Sequence, residues 1–416
     1  MKVAVVGLGH IGIVTAAALL RDGHSVVGID QDDDICRLLR HGMSPFNEPG
    51  IQDVIVSGRS ADRLIVGTRL DGAADADVAF VCVGTRGSQR GLDLSDVMRA
   101  AHALGGAVRR RAPGQTPMLM VFRSTMPPGS MRNIVLPVVA SAANEPPGTR
   151  YEIIYSPEFT REGTALADYF TPSRIVVGEE RHGSSDVLRD LHPSIEAPIF
   201  HTSFEVAELS KLADNAFHAL KVSFANEIGR FALTSGISPS EVFAIFQADT
   251  KLNLSAAYLQ PGGAFGGPCL PKDVRALATC IADAGVAAPV VGHIDESNAA
   301  HTHFLVTEIE RRVAPHSHIL LFGLSFKTGT DELRESPFIV LADNLLSRGH
   351  TLTIYDPDLR GAGGARARAS LPAHLAPLAV ERGPGGTPFD LVVVAKNRVG
   401  QESLPSGCPV FRIDRL

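Results

Sequence analysis

A chain of 416 residues is too long for a single hydrophobic core and points to two or three domains. Its net charge of −6 leaves no basic face for nucleic acid, and no apolar run reaches the length needed to span a membrane. The five scattered cysteines form neither a CxxC pair nor a disulfide framework, and no histidine spacing suggests a metal site, so a cytoplasmic protein without metal is expected.

The chain opens on Lys2-Val-Ala-Val-Val-Gly7, a short apolar run of the kind found in buried parallel strands, with no signal peptide ahead of it. Gly7-Leu-Gly9-His-Ile-Gly12 and an Ala-rich helix through Leu20 follow, then a second strand, Ser25 to Asp30. Strand, glycine turn, helix, strand and terminal acid together make the dinucleotide fingerprint. Backbone N–H groups at the helix start face the pyrophosphate, and Asp30 can bond the ribose hydroxyls. An acid there would repel a 2′-phosphate, which favours NAD over NADP.

Two further strands end close to small hydroxyls: Asp77 to Gly84 before Thr85, and Met118 to Phe122 before Ser124-Thr125. Strand C-termini are where doubly wound sheets take ligands. Glu158 and Glu162 are spaced to share a face on a helical turn, either beside a reacting centre or on the surface.

Glu205 to Gly236 reads as one long, mostly apolar and therefore buried helix. Along it Lys211, Asn215, His218, Val222 and Asn226 recur at steps of three and four. Such a stripe either lines a ligand cavity or reaches solvent at the helix ends. Gly262-Gly-Ala-Phe-Gly-Gly-Pro-Cys269-Leu-Pro-Lys272-Asp273 then places one cysteine in a loop dense with glycine and proline, before ionisable groups. Thiols become nucleophiles near cations and at loop-to-helix junctions, and a neighbouring carboxylate can orient water, so Cys269 is the expected nucleophile.

Helices over 274–284 and 295–312 lead to a strand over Ile319 to Phe326. Leu345-Leu-Ser-Arg-Gly-His to Asp356 echoes Leu19-Leu-Arg-Asp-Gly-His to Asp30, so a second strand–helix–strand unit is expected, without the three glycines. In their place stands Lys327 to Pro337, where Lys327 and Arg334 could hold phosphate or simply face solvent. Gly361 to Gly364 and Gly383 to Gly386 read as surface loops, and Leu391 to Ala395 as a late strand.

These motifs, with Glu48-Pro-Gly50, Ser124-Thr125, Pro157-Glu158-Phe159 and Arg161-Glu162, resemble the UDP-glucose/GDP-mannose dehydrogenase family nearly end to end. His218 to Gly229, Asp249 to Ser255 and Cys269 to Leu277 resemble its GDP-mannose branch. The resemblance implies an α/β fold: two Rossmann-like doubly wound domains joined by a long central helix. Expected boundaries are 1–200 for the NAD domain, 201–300 for the central helical domain and 301–416 for the nucleotide-sugar domain. It implies a dimer through the long helix, with central parts exchanged between subunits.

It also implies a four-electron, NAD-dependent oxidation of a nucleotide-sugar C6 alcohol to a uronic acid, through a thiohemiacetal and a thioester on Cys269. Lys211 would stabilise the oxyanion. Asn215, Thr125 and Asp273 would order water and substrate oxygen, and Glu158, supported by Glu162, would act as base. Gly7, Gly9, His10, Ile11, Gly12, Asp30, Thr85, Thr125, Lys272 and Arg334 would surround NAD. Glu158, Phe159, Lys211, Asn215, His218, Asn226, Tyr258, Gln260, Gly266 and Lys327 would contact the nucleotide sugar, with Arg334 also near it.

The chain departs from the family close to these positions. Pro268 stands where serine is usual, Ala257 replaces a tyrosine, Gln260 a phosphate-pairing arginine and Gly263 an aromatic; His10 also replaces an aromatic. Losing that arginine removes a charge-assisted bond to phosphate. The readings left standing are a GDP-mannose or related guanine-nucleotide-sugar dehydrogenase, a UDP-sugar 6-dehydrogenase, an enzyme that stops at the aldehyde, and a non-catalytic binding protein.

Overall fold

A computed structural model describes residues 1–88, 91–112, 114–180, 186–251, 261–285, 288–380, 383, 388–396, 404–405 and 407–415. The chain divides into two compact units, Met1–Ala213 and Asp214–Leu416.

The first unit starts with β1 (Lys2–Val6), α1 (His10–Arg21), β2 (Ser25–Ile29), α2 (Asp33–Arg40), α3 (Ile51–Ser60), β3 (Leu64–Gly67) and β4 (Val78–Val81). A small hairpin, β5 (Arg86–Ser88) and β6 (Gly91–Asp93), precedes α4 (Ser95–Arg109) and β7 (Met118–Phe122). A π-helical turn over Met131–Val135 runs into α5 (Leu136–Ala143); then come β8 (Tyr151–Tyr155), α6 (Ala165–Phe170), β9 (Ile175–Gly178), α7 (Asp186–Leu191) and β10 (Ile199–Thr202). The sheet order is β10-β9-β8-β7-β4-β1-β2-β3, parallel except at β8–β9. Successive strands are added to one side of β1 through β3 and to the other side from β4, so the gap between β1 and β4 is the switch point where ligands bind in such sheets.

Apolar residues on both faces explain the continuous runs seen in the sequence. Ala4 and Val6 join a buried cluster with Leu104 of α4 and Val139 of α5, whereas Val3 and Val5 join Val14 and Leu19 of α1. Successive side chains of one strand thus feed two helical layers.

α8 (Phe204–Thr234) begins in the first unit and ends in the second. The second unit continues with α9 (Pro239–Ala248), α10 (Leu270–Asp283), α11 (Pro289–Gly292) and α12 (Ile294–Glu310). It then builds β11 (His318–Phe322), α13 (Pro337–Ser347), β12 (Thr351–Tyr355), α14 (Gly361–Ala369), β13 (Ala379–Val380), β14 (Leu391–Val394) and β15 (Val410–Arg412). Its parallel sheet runs β13-β12-β11-β14-β15, again with the first strand at the switch point. This is the second strand–helix–strand unit that the Gly-His echo implied.

Four local expectations are corrected. The segment carrying Glu158 and Glu162 is not helical: Pro157 precedes it, and the Glu158 carboxylate takes the N–H and hydroxyl of Thr160, a local bond that competes with helix. Gly361–Gly364 opens α14 rather than a loop, because alanines and arginines that favour helix carry the glycines. The strand expected to reach Phe326 stops at Phe322, where Gly323 turns the backbone at φ +108°. α8 is not buried all round: Val206, Leu209, Phe217 and Phe224 are 55, 46, 43 and 40% exposed. Of the other surface loop, only Gly383 lies within the described residues.

Candidate active site

In the first unit, Gly7, Gly9, His10, Ile11 and Gly12 form the turn from β1 into α1, at the switch point. A Cβ on Gly12 would come within 1.8 Å of the Gly7 carbonyl oxygen, so close helix–turn packing explains that glycine. Gly9 has no such reason, since a Cβ there would meet nothing within 4 Å. The open space beside Gly9, at the amino end of α1, fits a dinucleotide pyrophosphate approaching the backbone. Asp30 fastens the same turn, accepting from the N–H of Leu8 at 2.6 Å and of Asp32 at 2.9 Å. Thr85 is buried after β4 and Thr125 half-buried after β7.

His10 carries a contact that the motif did not reveal. Its Nε2 lies 2.8 Å from Glu48, whose carboxylate also accepts the N–H groups of Gly163 and Ala165, each at 2.8 Å. Burial works against a charged imidazole, but the Glu48 bond and the Glu162, Glu48 and Glu158 charges outweigh it and raise the His10 pKa. Burial likewise opposes ionisation of Glu48, and the bonds from His10, Gly163 and Ala165 bring its carboxyl below the ordinary range. Glu48 thereby ties the glycine turn to the loop that carries Glu158 and Glu162.

Glu158 and Lys211 form a buried ion pair at 3.5 Å, with the two residues 6 and 4% exposed. The Lys211 ammonium stands 5.2 Å from the Phe159 ring centre. Burial pushes the Glu158 carboxyl up; Lys211 first, then the Thr160 hydroxyl, Arg123 and the Thr160 N–H, more than offset this and hold it below its ordinary value. Arg123 sits over the Phe80 and Tyr169 rings. Glu162 is half-buried. Glu208, one turn before Lys211 on α8, accepts the N–H groups of Gly129 at 2.6 Å and Met131 at 2.7 Å and so fixes the end of the Thr125 loop. Burial pushes the Glu208 carboxyl up to about 7 against those two donors.

In the second unit Cys269 is the N-cap residue of α10, so the expected loop-to-helix junction is where the thiol sits. The amino end of a helix favours negative charge. Lys272 and Asp273 occupy the first turn beyond it. Asp273 is fully buried and bonded through both oxygens, to Lys272 Nζ at 2.7 Å and to Asn215 Nδ2. Asn215 lies four residues after Lys211 on α8, on the same helical face.

The α8 stripe is closed to solvent at three of its five positions. Lys211, Asn215 and Asn226 are buried and internally bonded; His218, 3.8 Å from Asp214, and Val222 are half-buried. Asn226 uses its amide on backbone, accepting from Gly262 N–H at 3.0 Å and donating to Gly263 carbonyl at 3.2 Å. Two residues of α12 that the sequence reading passed over complete this support. Asn298 makes paired 2.9 Å bonds to the backbone of Phe265, and His301 Nε2 lies 2.6 Å from the Gly262 carbonyl. Burial, with Arg230, brings the His301 pKa down to about 4 despite the Gly262 bond, so the ring is neutral at pH 7. Asn298 and His301, three apart, share one face of α12, but that helix is rich in polar residues throughout, so the pair did not stand out in the sequence.

Gly266 packs against the backbone of Glu335 and the Pro337 ring. Arg275 of α10 holds Glu335 through two 2.6 Å bonds. Arg334 is exposed and folds onto Glu332, and Lys327 is half-buried. Tyr258 and Gln260, with Ala257, lie outside the described residues.

Residues 1–196, 205–300 and 320–373 match models of the NAD binding, central and UDP binding domains of the UDP-glucose/GDP-mannose dehydrogenase family. The chain is 39% identical to the GDP-mannose 6-dehydrogenase of Pseudomonas aeruginosa over 367 residues, 87% of this chain and 82% of that one. The solved UDP-glucose dehydrogenase of the archaeon Pyrobaculum islandicum has a TM-score of 0.89 at 32% identity, covering 99% of this chain and 94% of that one. A ternary complex of the GDP-mannose dehydrogenase from Pseudomonas aeruginosa has a TM-score of 0.59 at 34% identity, covering 100 and 96%.

Proposed function

The chain belongs to the UDP-glucose/GDP-mannose dehydrogenase family, and from that premise we propose that it is an NAD-dependent nucleotide-sugar 6-dehydrogenase acting on GDP-mannose or a related guanine-nucleotide sugar. The observation that carries this reading is Cys269 at the amino end of α10, one turn from a buried Asp273 held by Asn215 and Lys272. NAD supplies hydride acceptance twice per sugar. The chain's own groups do the rest.

Once the C6 alcohol has lost a hydride and a proton, the Cys269 sulfur adds to the aldehyde carbon and the carbonyl oxygen takes a proton. The resulting thiohemiacetal carries a C–H bond whose loss as hydride, with the hydroxyl proton, leaves a thioester. Water then adds, the C–S bond breaks, and the thiol is restored beside a carboxylate. Lys211 is assigned to the charge that builds on oxygen in each addition. Glu158, ionised and buried, is the base that takes a proton from the water, with Glu162 in support; Asn215, Thr125 and Asp273 order water and substrate oxygen.

Residues 1–200 are assigned to NAD, 201–300 to the central helical domain and 301–416 to the nucleotide sugar, in a cytoplasmic enzyme that supplies uronic acid for polysaccharide. The balance requires two NADH per sugar. Assay of NADH per mole across GDP- and UDP-sugars tests the proposal: two with a GDP-sugar are expected. Two with UDP-sugars alone would favour the reading suggested by the archaeal likeness; one would mean a reaction halting at the aldehyde. Binding of sugar and NADH without turnover would leave only a binding protein.

The assigned quaternary state is a homodimer, with central parts exchanged. Its support is the row Val206, Leu209, Ala213, Phe217, Leu220 and Phe224, which recurs every three or four residues along α8 and exposes large apolar side chains. Sedimentation should give dimers for the native chain and monomers for Phe217→Glu with Phe224→Glu. Native monomers at micromolar concentration would dismiss the assignment.

A further inference from the structure

The two units repeat one device with different contents. In the first, Gly7 follows β1 at φ +89°, its N–H bonds Ile29 of β2, and Asp30 at the end of β2 accepts the Leu8 N–H. In the second, Gly323 follows β11 at φ +108°, its N–H bonds Tyr355 of β12, and Asp356 at the end of β12 accepts the Leu324 N–H at 2.7 Å. Registers match as well: Val6 pairs with Val81 of β4, and Phe322 pairs with Val394 of β14. Two residues beyond stand Val83 in the first unit and Lys396 in the second. A Cβ on Gly7 would strike the Val83 backbone at 2.7 Å, and one on Gly323 would strike Lys396 Cγ at 2.9 Å.

Lys396 is therefore a lysine at the mouth of the second switch point, where the first unit has valine. It is 5% exposed, and its ammonium lies 2.8 Å from Asp356, 2.9 Å from Asp358 and in contact with the Ser325 hydroxyl. The two carboxylates pass the restraint on: Asp356 accepts the N–H of Leu324 and Ser325, and Asp358 accepts that of Gly329 at 2.9 Å. Burial pushes the Asp356 carboxyl up, but Lys396 and the two N–H groups outweigh it and bring it below its ordinary value. Helix geometry differs too. α1 begins at His10, close behind Gly7, whereas α13 begins only at Pro337, after the whole Lys327–Arg334 loop.

We propose that Lys396 fills the ligand position of the second unit's cleft with an internal cation, and that this ion cluster positions the 324–334 loop for the nucleotide sugar. Lys396 is a positioning residue: it acts through Asp356 and Asp358 on the backbone that leads into Lys327 and Arg334. A loop ordered in advance binds more tightly because less freedom is lost on binding. The inference rests on the reading that this loop meets the nucleotide sugar, and the test separates the two.

Removing the lysine alone would leave two buried carboxylates facing each other, so the variant of choice is Lys396→Met with Asp358→Asn, which keeps the charge balance. In the full chain, its KM and calorimetric Kd for GDP-mannose should rise about tenfold or more as the ordering cost returns. Its kcat should stay within about threefold, and its NADH affinity, read by fluorescence, should be unchanged. Native protein should bind one NADH per chain. Amide exchange at Leu324, Ser325 and Gly329 should be slow before any sugar is added, a readout that needs no variant. Fast exchange there in the free protein, a second NADH per chain, or native sugar affinity in the double variant would each overturn the proposal. Arg334→Ala with Lys327→Ala is the control for the underlying reading. If that pair leaves sugar affinity unaltered, the loop is not the sugar site; if it weakens binding while the clamp variant does not, the clamp alone fails.

Discussion

Replacing Cys269 with alanine should abolish uronic acid formation, with kcat for the acid falling on the order of 10³- to 10⁶-fold, as when a nucleophile is removed from other covalent catalysts. Without sulfur the aldehyde has no partner with which to form a thiohemiacetal, so the second hydride has no C–S-activated carbon to leave. Alanine keeps the N-cap backbone, including the Cys269 carbonyl that accepts the Asp273 N–H at 3.0 Å. Stability should therefore change little. Cys269→Ser is the informative companion. A hydroxyl adds to aldehydes, but its ester hydrolyses more slowly than a thioester, and its proton is far harder to remove than a thiol's. Acid-quenched mass spectrometry should trap a sugar-derived adduct on the native chain and none on the alanine variant. Two NADH per sugar at a near-native rate from Cys269→Ala would end the covalent mechanism.

What the sequence made legible shares one property: it is local. The glycine turn, Asp30, the Cys269 junction and the Gly-His echo are each contained within a few residues, so residue type and spacing already encode their geometry. The features it hid depend on residues far apart in the chain. Glu48 gives no sign that it meets His10 on one side and Gly163 on the other. Lys396 stands just beyond the apolar run Leu391 to Ala395, and nothing near it in the chain signals that Asp356 and Asp358 lie beside it. Asn226 shows a different limit. Its position in a polar stripe was legible, but which atoms it would bond was not, and they are backbone atoms of the cysteine loop. The exposed row on α8 was misread because apolar content alone does not say whether another part of the same chain covers it.

The Lys211–Glu158 pair offers the second large effect, and its two consequences can be separated. In the native protein Glu158 ionises more readily than in the unfolded chain. Its pairing therefore stabilises the fold above the ordinary carboxylate pKa and ceases to do so as pH falls through the depressed folded value. Lys211→Met removes the largest favourable contribution and leaves burial, which acts the other way. The Glu158 pKa should then rise above the unfolded value, and the variant should lose stability as pH climbs from 4 to 7. At pH 7 the cost of one unpaired buried charge is about 3–5 kcal/mol. Loss of a preorganised cation should lower kcat by roughly 10²- to 10³-fold, with the acid limb of the pH–rate profile displaced upward. Lys211→Met with Glu158→Gln removes both charges, so thermal melts should recover most of the lost stability while turnover stays low. Recovery of turnover along with stability in that double variant would make the pair a support of the fold and take both residues out of the chemistry.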